Sequence, residues 1–241
     1  MGYIMTFDYH THTVFSHGKG TIRDNVMAAR EKGLREIAIT DHGPGHLTYG
    51  IKRDAVPEMR QIITELNEEF DDIRIYLGVE ANIINKGSCL DVTPEEFPLY
   101  DFVLGGYHYG VTNGYCIKNW IDSKGMHFDR KLLVKNTEMA VKAVYENDLR
   151  ILTHPGDKGP FDTLELAKAC ADTDTWMEIS THHKNLTVEQ IKICAKTDAK
   201  FVISSDAHIP YKVGTFEGGL ERAMEAGLDL ERIVNIEKVE D

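Results

Sequence analysis

The 241-residue chain holds 11 His and 39 Asp or Glu, so the information lies in where such residues stand rather than in their number. The stretch FDYHTHTVFSHGKG, residues 7–20, places His10 and His12 two apart. In a β-strand that spacing points both imidazoles to one face. The same spacing recurs far along the chain at Asp206 and His208 in ISSDAH. Between the two lie Asp41 and His42 in AITDHG, Glu80 in LGVEAN, His108 in LGGYHYG and His154 in ILTHPG. Imidazoles and carboxylates with no cysteine among them form a donor set for Zn, Mn or Fe and exclude a soft thiolate site. Glu80 follows an apolar run, where a buried carboxylate would be costly without a cation beside it, and it can bridge two ions. Divalent ions held this way polarise a phosphoryl oxygen and lower the pKa of a bound water toward neutrality, so hydrolysis is the expected chemistry.

These residues need elements that bring them together. Short β-rich apolar runs recur along the chain: IMTFDY, EIAIT, IRIYLGV, DFVLGGY, LRILT, WMEIS and KFVISS. Most are continuous rather than alternating, which marks strands buried on both faces. Helical patterns separate them, the clearest placing Met59, Ile62, Ile63, Leu66 and Phe70 on one stripe. Thr21 and Asp24 form a capping box that opens a helix running to about Gly33. Further helices are expected around Lys131–Glu146, Thr163–Ala171, Thr187–Thr197 and Gly218–Ala226. The chain thus alternates strand and helix seven times without a Pro/Gly/Ser-rich linker, which predicts one parallel β/α domain over residues 1–241, a barrel or an open doubly wound sheet. The ligand-type residues end six of the seven predicted strands. In a barrel those C-terminal ends converge on one face, where active sites are built.

Composition narrows the partners. Lys+Arg number 27 against 39 Asp+Glu, a formal charge of −12, which argues against sequence-independent binding to nucleic acid or to an anionic membrane surface. The four cysteines form no Cys-x-x-Cys pair, and no signal peptide or long apolar run is present, so a reducing cytoplasm is the expected setting. MGYIMT fits a myristoylation pattern but leads straight into a strand and lacks a basic cluster, so we read the match as accidental.

The motifs HTHTVFSHG, AITDHGP, GVEANI, GGYHYG, THPGD and SSDAH, in this order and spacing, resemble the PHP superfamily, named for polymerase and histidinol phosphatase. The run from ITDHGP to GVEANI is most similar to its small stand-alone YcdX-type phosphatases. The resemblance covers essentially the whole chain. It implies a distorted seven-stranded β/α barrel with two or three divalent ions at the C-terminal face, zinc first and manganese or iron as alternatives. By motif, His10, His12, Glu80 and Asp206 would hold one ion, and Glu80, His108 and His154 a second. His17, His42 and His208 would hold the third. Family members vary at the His17 position, commonly offering Asp or a shifted His. Asp206, His208 and Glu80 are the expected catalytic residues. The implied substrate is a small phosphorylated molecule, and a homo-oligomer is left open.

Other residues are weighed beside this set. Asp41 is expected to orient a nearby imidazole rather than to ligate. His182 and His183, in EISTHHKN, depart from the family, where a polar residue such as Asn follows the Glu178-Ile179 pair, and are read as loop residues at the rim. His46 and His127 have no constellation behind them. SHGKGT fails the GxxxxGK[ST] pattern, so its glycines are read as a sharp turn over the metal face rather than a nucleotide cradle. For a substrate phosphate the candidate cations are Lys19, Arg53, Lys158, Lys184 and Lys212. Hydrolysis of a phosphate monoester is the leading expectation. Phosphodiester cleavage of short oligonucleotides and a non-catalytic metal-binding regulatory module are the alternatives.

Overall fold

The computed structural model describes residues 2–126, 129 and 131–239; His127 lies outside them. Seven strands form one parallel sheet in sequence order: β2 (Phe7–Asp8), β3 (Glu36–Ile39), β4 (Arg74–Asn82), β5 (Phe102–Gly106), β6 (Leu149–Leu152), β7 (Trp176–Ser180) and β8 (Phe201–Ser204). Beyond the ends of β2 and β8 a parallel bridge joins Thr11 to Ala207. The sheet is thereby nearly closed on itself, the distorted seven-stranded barrel expected above.

Both faces of these strands are buried, which is why their sequences are continuous apolar runs. Outward residues such as Ile37, Ile39, Leu77, Val79, Met177 and Ile179 pack in the large core against the helices. Inward residues Tyr9, Ala38, Leu104, Ile151 and Val202 form a separate cluster that fills the barrel. The partly buried aromatics Phe7, Tyr76, Phe102 and Trp176 pack against that filling. In β4 the alternation carries the inward face from Tyr76 through Gly78 to Glu80, so the carboxylate stands above the filling, at the C-terminal end.

The helices are α1 (Ile22–Glu31), α2 (Val56–Glu69), α3 (Cys116–Asp122), α4 (Leu132–Glu146), α5 (Thr163–Thr173), α6 (Val188–Cys194) and α7 (Glu217–Glu225). The capping box at Thr21 and Asp24 is present, and Met59, Ile63 and Leu66 are the buried stripe of α2. Three features differ from expectation. The connection from β4 to β5 contains no α-helix among its described residues, only a 3-10 turn at Pro94–Leu99, because Pro98 removes a donor inside a six-residue segment. The short helix α3, unmarked by any long apolar period, precedes α4. The run IMTFDY is split at Thr6, whose backbone N–H donates to the Asn235 carbonyl at 2.9 Å. Its first half, β1 (Gly2–Met5), leaves the barrel to pair antiparallel with β9 (Ile236–Val239), too polar a segment to read as a strand. Among the described residues no helix is long and apolar enough to cross a membrane.

Candidate metal centre

The C-terminal face of the barrel collects its donors strand by strand. His10 and His12 follow β2, while Thr11 between them turns away to donate its hydroxyl to the Ala38 carbonyl at 2.7 Å. Asp206 and His208 repeat the pattern after β8. His42 follows β3 and forms a parallel bridge with Glu80 of β4. His108 and His154 stand two residues beyond β5 and β6. His154 (φ 26°) and Asp206 (φ 49°) sit in the left-handed region, a conformation that costs roughly 1–3 kcal/mol for a residue with a side chain. The His154 strain is offset in part by its N–H, which donates to Glu178 Oε2 at 2.6 Å.

Glu80 is the centre of the arrangement. Its Oε1 lies 2.9 Å from His154 Nε2, 3.3 Å from His10 Nε2 and 3.4 Å from His108 Nε2. Its Oε2 lies 2.8 Å from His42 Nδ1 and 3.7 Å from His12 Nε2. Asp206 Oδ1 is 3.1 Å from His12 Nε2, and the His17 ring is 4.2 Å from His208 and 4.9 Å from His42, centre to centre. His12, His42 and His208 bring ligand atoms within 4.8 Å of one another, as do His10, His12 and Asp206, and His42, Glu80 and His108.

The residues fit divalent cations on a further ground. Buried atoms of this face have no hydrogen-bond partner: the Nδ1 atoms of His12, His17, His42 and His154, Glu80 Oε2 and Asp206 Oδ1. Orphaned buried polar atoms are rare because each forfeits its solvation. His42 Nδ1 and Glu80 Oε2 approach closely yet are not aligned to bond, as expected of two lone pairs aimed at one cation.

Side chains behind the donors set which atom faces inward. Glu178 of β7 accepts from His10 Nδ1 at 2.7 Å, and the Asn82 side-chain carbonyl engages His108 Nδ1 at 2.9 Å. Each leaves Nε2 toward Glu80, the arrangement that orients ligating imidazoles. Burial opposes ionisation of Glu80, yet the imidazoles of His108 and His10 hold its carboxyl well below the usual range. Asp206 behaves alike beside His10 and His12. Burial and the neighbouring rings of His208 and His42 bring His17 down to about 4, and burial brings His108 down to about 3 despite Glu80. Burial is outweighed at His10 by Glu80, Glu178 and Asp206, which raise it well above an ordinary imidazole.

A cavity of about 230 Å³ opens over these groups, and Lys158 is the one Lys or Arg in its described lining. A second cavity of about 400 Å³ adjoins it through Asp206, His182 and His208 and carries Lys212, Phe216 and Glu217. Of the other proposed cations, Arg53 is engaged by Glu96 at 2.6 Å and the Asp91 carbonyl at 3.0 Å, and neither it, Lys19 nor Lys184 lines either cavity. Asp41 bonds the Thr13 backbone and hydroxyl and the Ser16 hydroxyl, so it shapes the turn before His17 rather than orienting a ring. Close approach explains Gly18, where a Cβ would meet the His12 carbonyl at 2.5 Å. His46, which no motif supported, stacks 5.7 Å from His42 and lines the 230 Å³ cavity. The orienting carboxylate missed in the sequence is Glu178. It supplies the contribution of β7, the barrel strand whose end carried no predicted donor, and its signal was a Glu inside the apolar run WMEIS, as in GVEAN.

Fold and site together define a β/α-barrel hydrolase with a metal-donor face. The family model of the PHP domain matches residues 8–205, and the chain belongs to the PHP domain family. Curated relatives named probable phosphatase include proteins of Serratia proteamaculans, 28% identical over 95% of this chain and 89% of the relative, and of Acetivibrio thermocellus, 27% identical over 97% and 93%. The solved histidinol phosphate phosphatase of Lactococcus lactis, complexed with zinc, L-histidinol and phosphate, has the same fold, with a TM-score of 0.59 at 17% identity over 94% of this chain and 95% of that one. Family, relatives and donor set agree on a metal-dependent phosphoesterase of the phosphatase kind.

Proposed function

We propose that the protein hydrolyses a small phosphate monoester at a site of three divalent ions, zinc foremost. His10, His12, Glu80 and Asp206 would hold one ion, Glu80, His108 and His154 the second, and His17, His42 and His208 the third. The observation that carries the reading is the crowding of these donors around Glu80, with six buried atoms left unpartnered. When bound, such ions activate water and neutralise charge on phosphoryl oxygens.

The chain's own groups do the rest. Glu178 and Asn82 keep Nε2 of His10 and His108 pointing inward. Lys158, held by Asp157 at the rim, offers its ammonium to the phosphoryl group. Asp206 and His208, shared by both cavities, face the junction between phosphoryl group and leaving group. The 400 Å³ cavity would then take the leaving group, which limits the substrate to a small molecule.

The test is turnover of p-nitrophenyl phosphate and a panel of small phosphates by protein loaded with zinc or manganese. Metal-dependent turnover of a monophosphate is expected. Faster cleavage of single-stranded oligonucleotides would favour a phosphodiesterase, and tight metal binding without turnover a regulatory module.

A further inference from the structure

His183 lies in the loop after β7. Its ring is set between two carboxylates: Nδ1 is 3.2 Å from Asp157 Oδ2, and Nε2 is 3.1 Å from Asp206 Oδ2. Asp157 is itself fixed, its Oδ1 accepting from Asn185 Nδ2 at 3.0 Å while Lys158 pairs with Oδ2. The ring of His183 stands 4.9 Å from that of His154, and ligand atoms of His154, His183 and Asp206 lie within 4.8 Å of one another.

This is the two-sided geometry of His10 and His108. In all three, Nδ1 meets an oxygen anchored in the fold and Nε2 points into the cluster, the device that fixes the tautomer of a ligating imidazole. With Nδ1–H given to Asp157, the Nε2 lone pair faces a carboxylate oxygen, and a cation between them relieves that opposition. His154 and Asp206, the two residues grouped with His183, each carry a buried atom without a hydrogen-bond partner, Nδ1 and Oδ1. We propose that His183 is a further metal ligand, reaching the ion that Glu80, His108 and His154 would hold, with Asp206 Oδ2 beside its Nε2 and Asp157 as its positioning residue. The inference rests on the reading of the site as a divalent-cation centre.

The neighbouring His182 provides the control. It is more exposed, on the same loop, and lines the cavity without standing between carboxylates. Full-length protein loaded with zinc is titrated with a chromophoric chelator, and ions retained are counted by mass spectrometry. His183→Ala should weaken one ion on the order of 100-fold, and Asp157→Asn roughly 10-fold, the scale at which orienting partners act. His182→Ala should leave the titration unchanged, and melting of the metal-free proteins should show that all variants fold. Wild-type count and affinity in His183→Ala would overturn the assignment and leave His183 a side chain that only links Asp157 to Asp206. Wild-type protein that retains no ion would overturn the cation centre itself, and this ligand with it.

Discussion

Single side chains behind the candidate donors set how those donors are presented. Glu178 holds both the His10 ring and the His154 backbone, so Glu178→Gln should weaken metal binding by roughly 10–100-fold, read by chelator competition. Gly106 has a different reason to matter, because a Cβ there would stand 2.5 Å from Glu80 Oε1 and 2.7 Å from His108 Cε1. Gly106→Ala should therefore cost metal content and turnover while far-UV circular dichroism stays that of the wild type; full activity would show that Glu80 can move aside. His17 gives a pH dependence. Its folded pKa of about 4 lies below the ordinary 6.5, so between those values the unfolded chain binds the extra proton. The stability His17 contributes in metal-free protein is present above pH 6.5 and lost as pH falls toward 4. Metal-free His17→Asn should lose less stability than wild type across that window, measured by urea unfolding.

At the level of elements, the barrel has a seam between β2 and β8. Neither strand is long enough to zip it, and beside the Thr11–Ala207 bridge buried side chains close it. The Asn235 side-chain amide donates to the Phe7 carbonyl at 2.8 Å and the Ile203 carbonyl at 2.7 Å, and its Oδ1 accepts from Ile203 N–H at 3.1 Å. Above it, Asp8 accepts from the Ser205 hydroxyl and from Gly214 N–H at 2.8 Å. Each buried group left unpaired costs about 1–3 kcal/mol, so Asn235→Ala should destabilise the protein by at least that much, measured as a lower urea midpoint. Because the seam sits beneath His10, His12 and Asp206, the loss should extend to metal affinity. Unchanged stability would mean that the seam is closed by the strands alone.

Over the whole molecule, folding gathers Glu80, Glu178 and Asp206 into one buried region of a chain already carrying −12. Cations that bind the native state and not the unfolded chain add stability by mass action, about 2.7 kcal/mol at a hundredfold excess over the dissociation constant. Chelation should lower the melting temperature without changing secondary structure, and zinc should restore it. A melting temperature indifferent to chelator would argue against a native-state cation cluster.

The sequence by itself determined the repeating β/α order, the seven barrel strands and which ligand-type residues stand at their ends. Those follow from local rules: continuous apolar runs for strands buried on both faces, and ligand-type residues at their ends. His10, His12, Glu80, His108, His154, Asp206 and His208 were legible because each sits beside a strand signal. Tertiary structure decided what depends on neighbours distant in the chain. The split at Thr6 is set by Asn235, 229 residues away. The orienting role of Glu178 is set by His10, 168 residues away. Lys158 is distinguished from the other cations only by which loop folds over the cavity. Local pattern fixes which face a side chain takes; only barrel closure brings seven strand ends to one point and gives those side chains their partners.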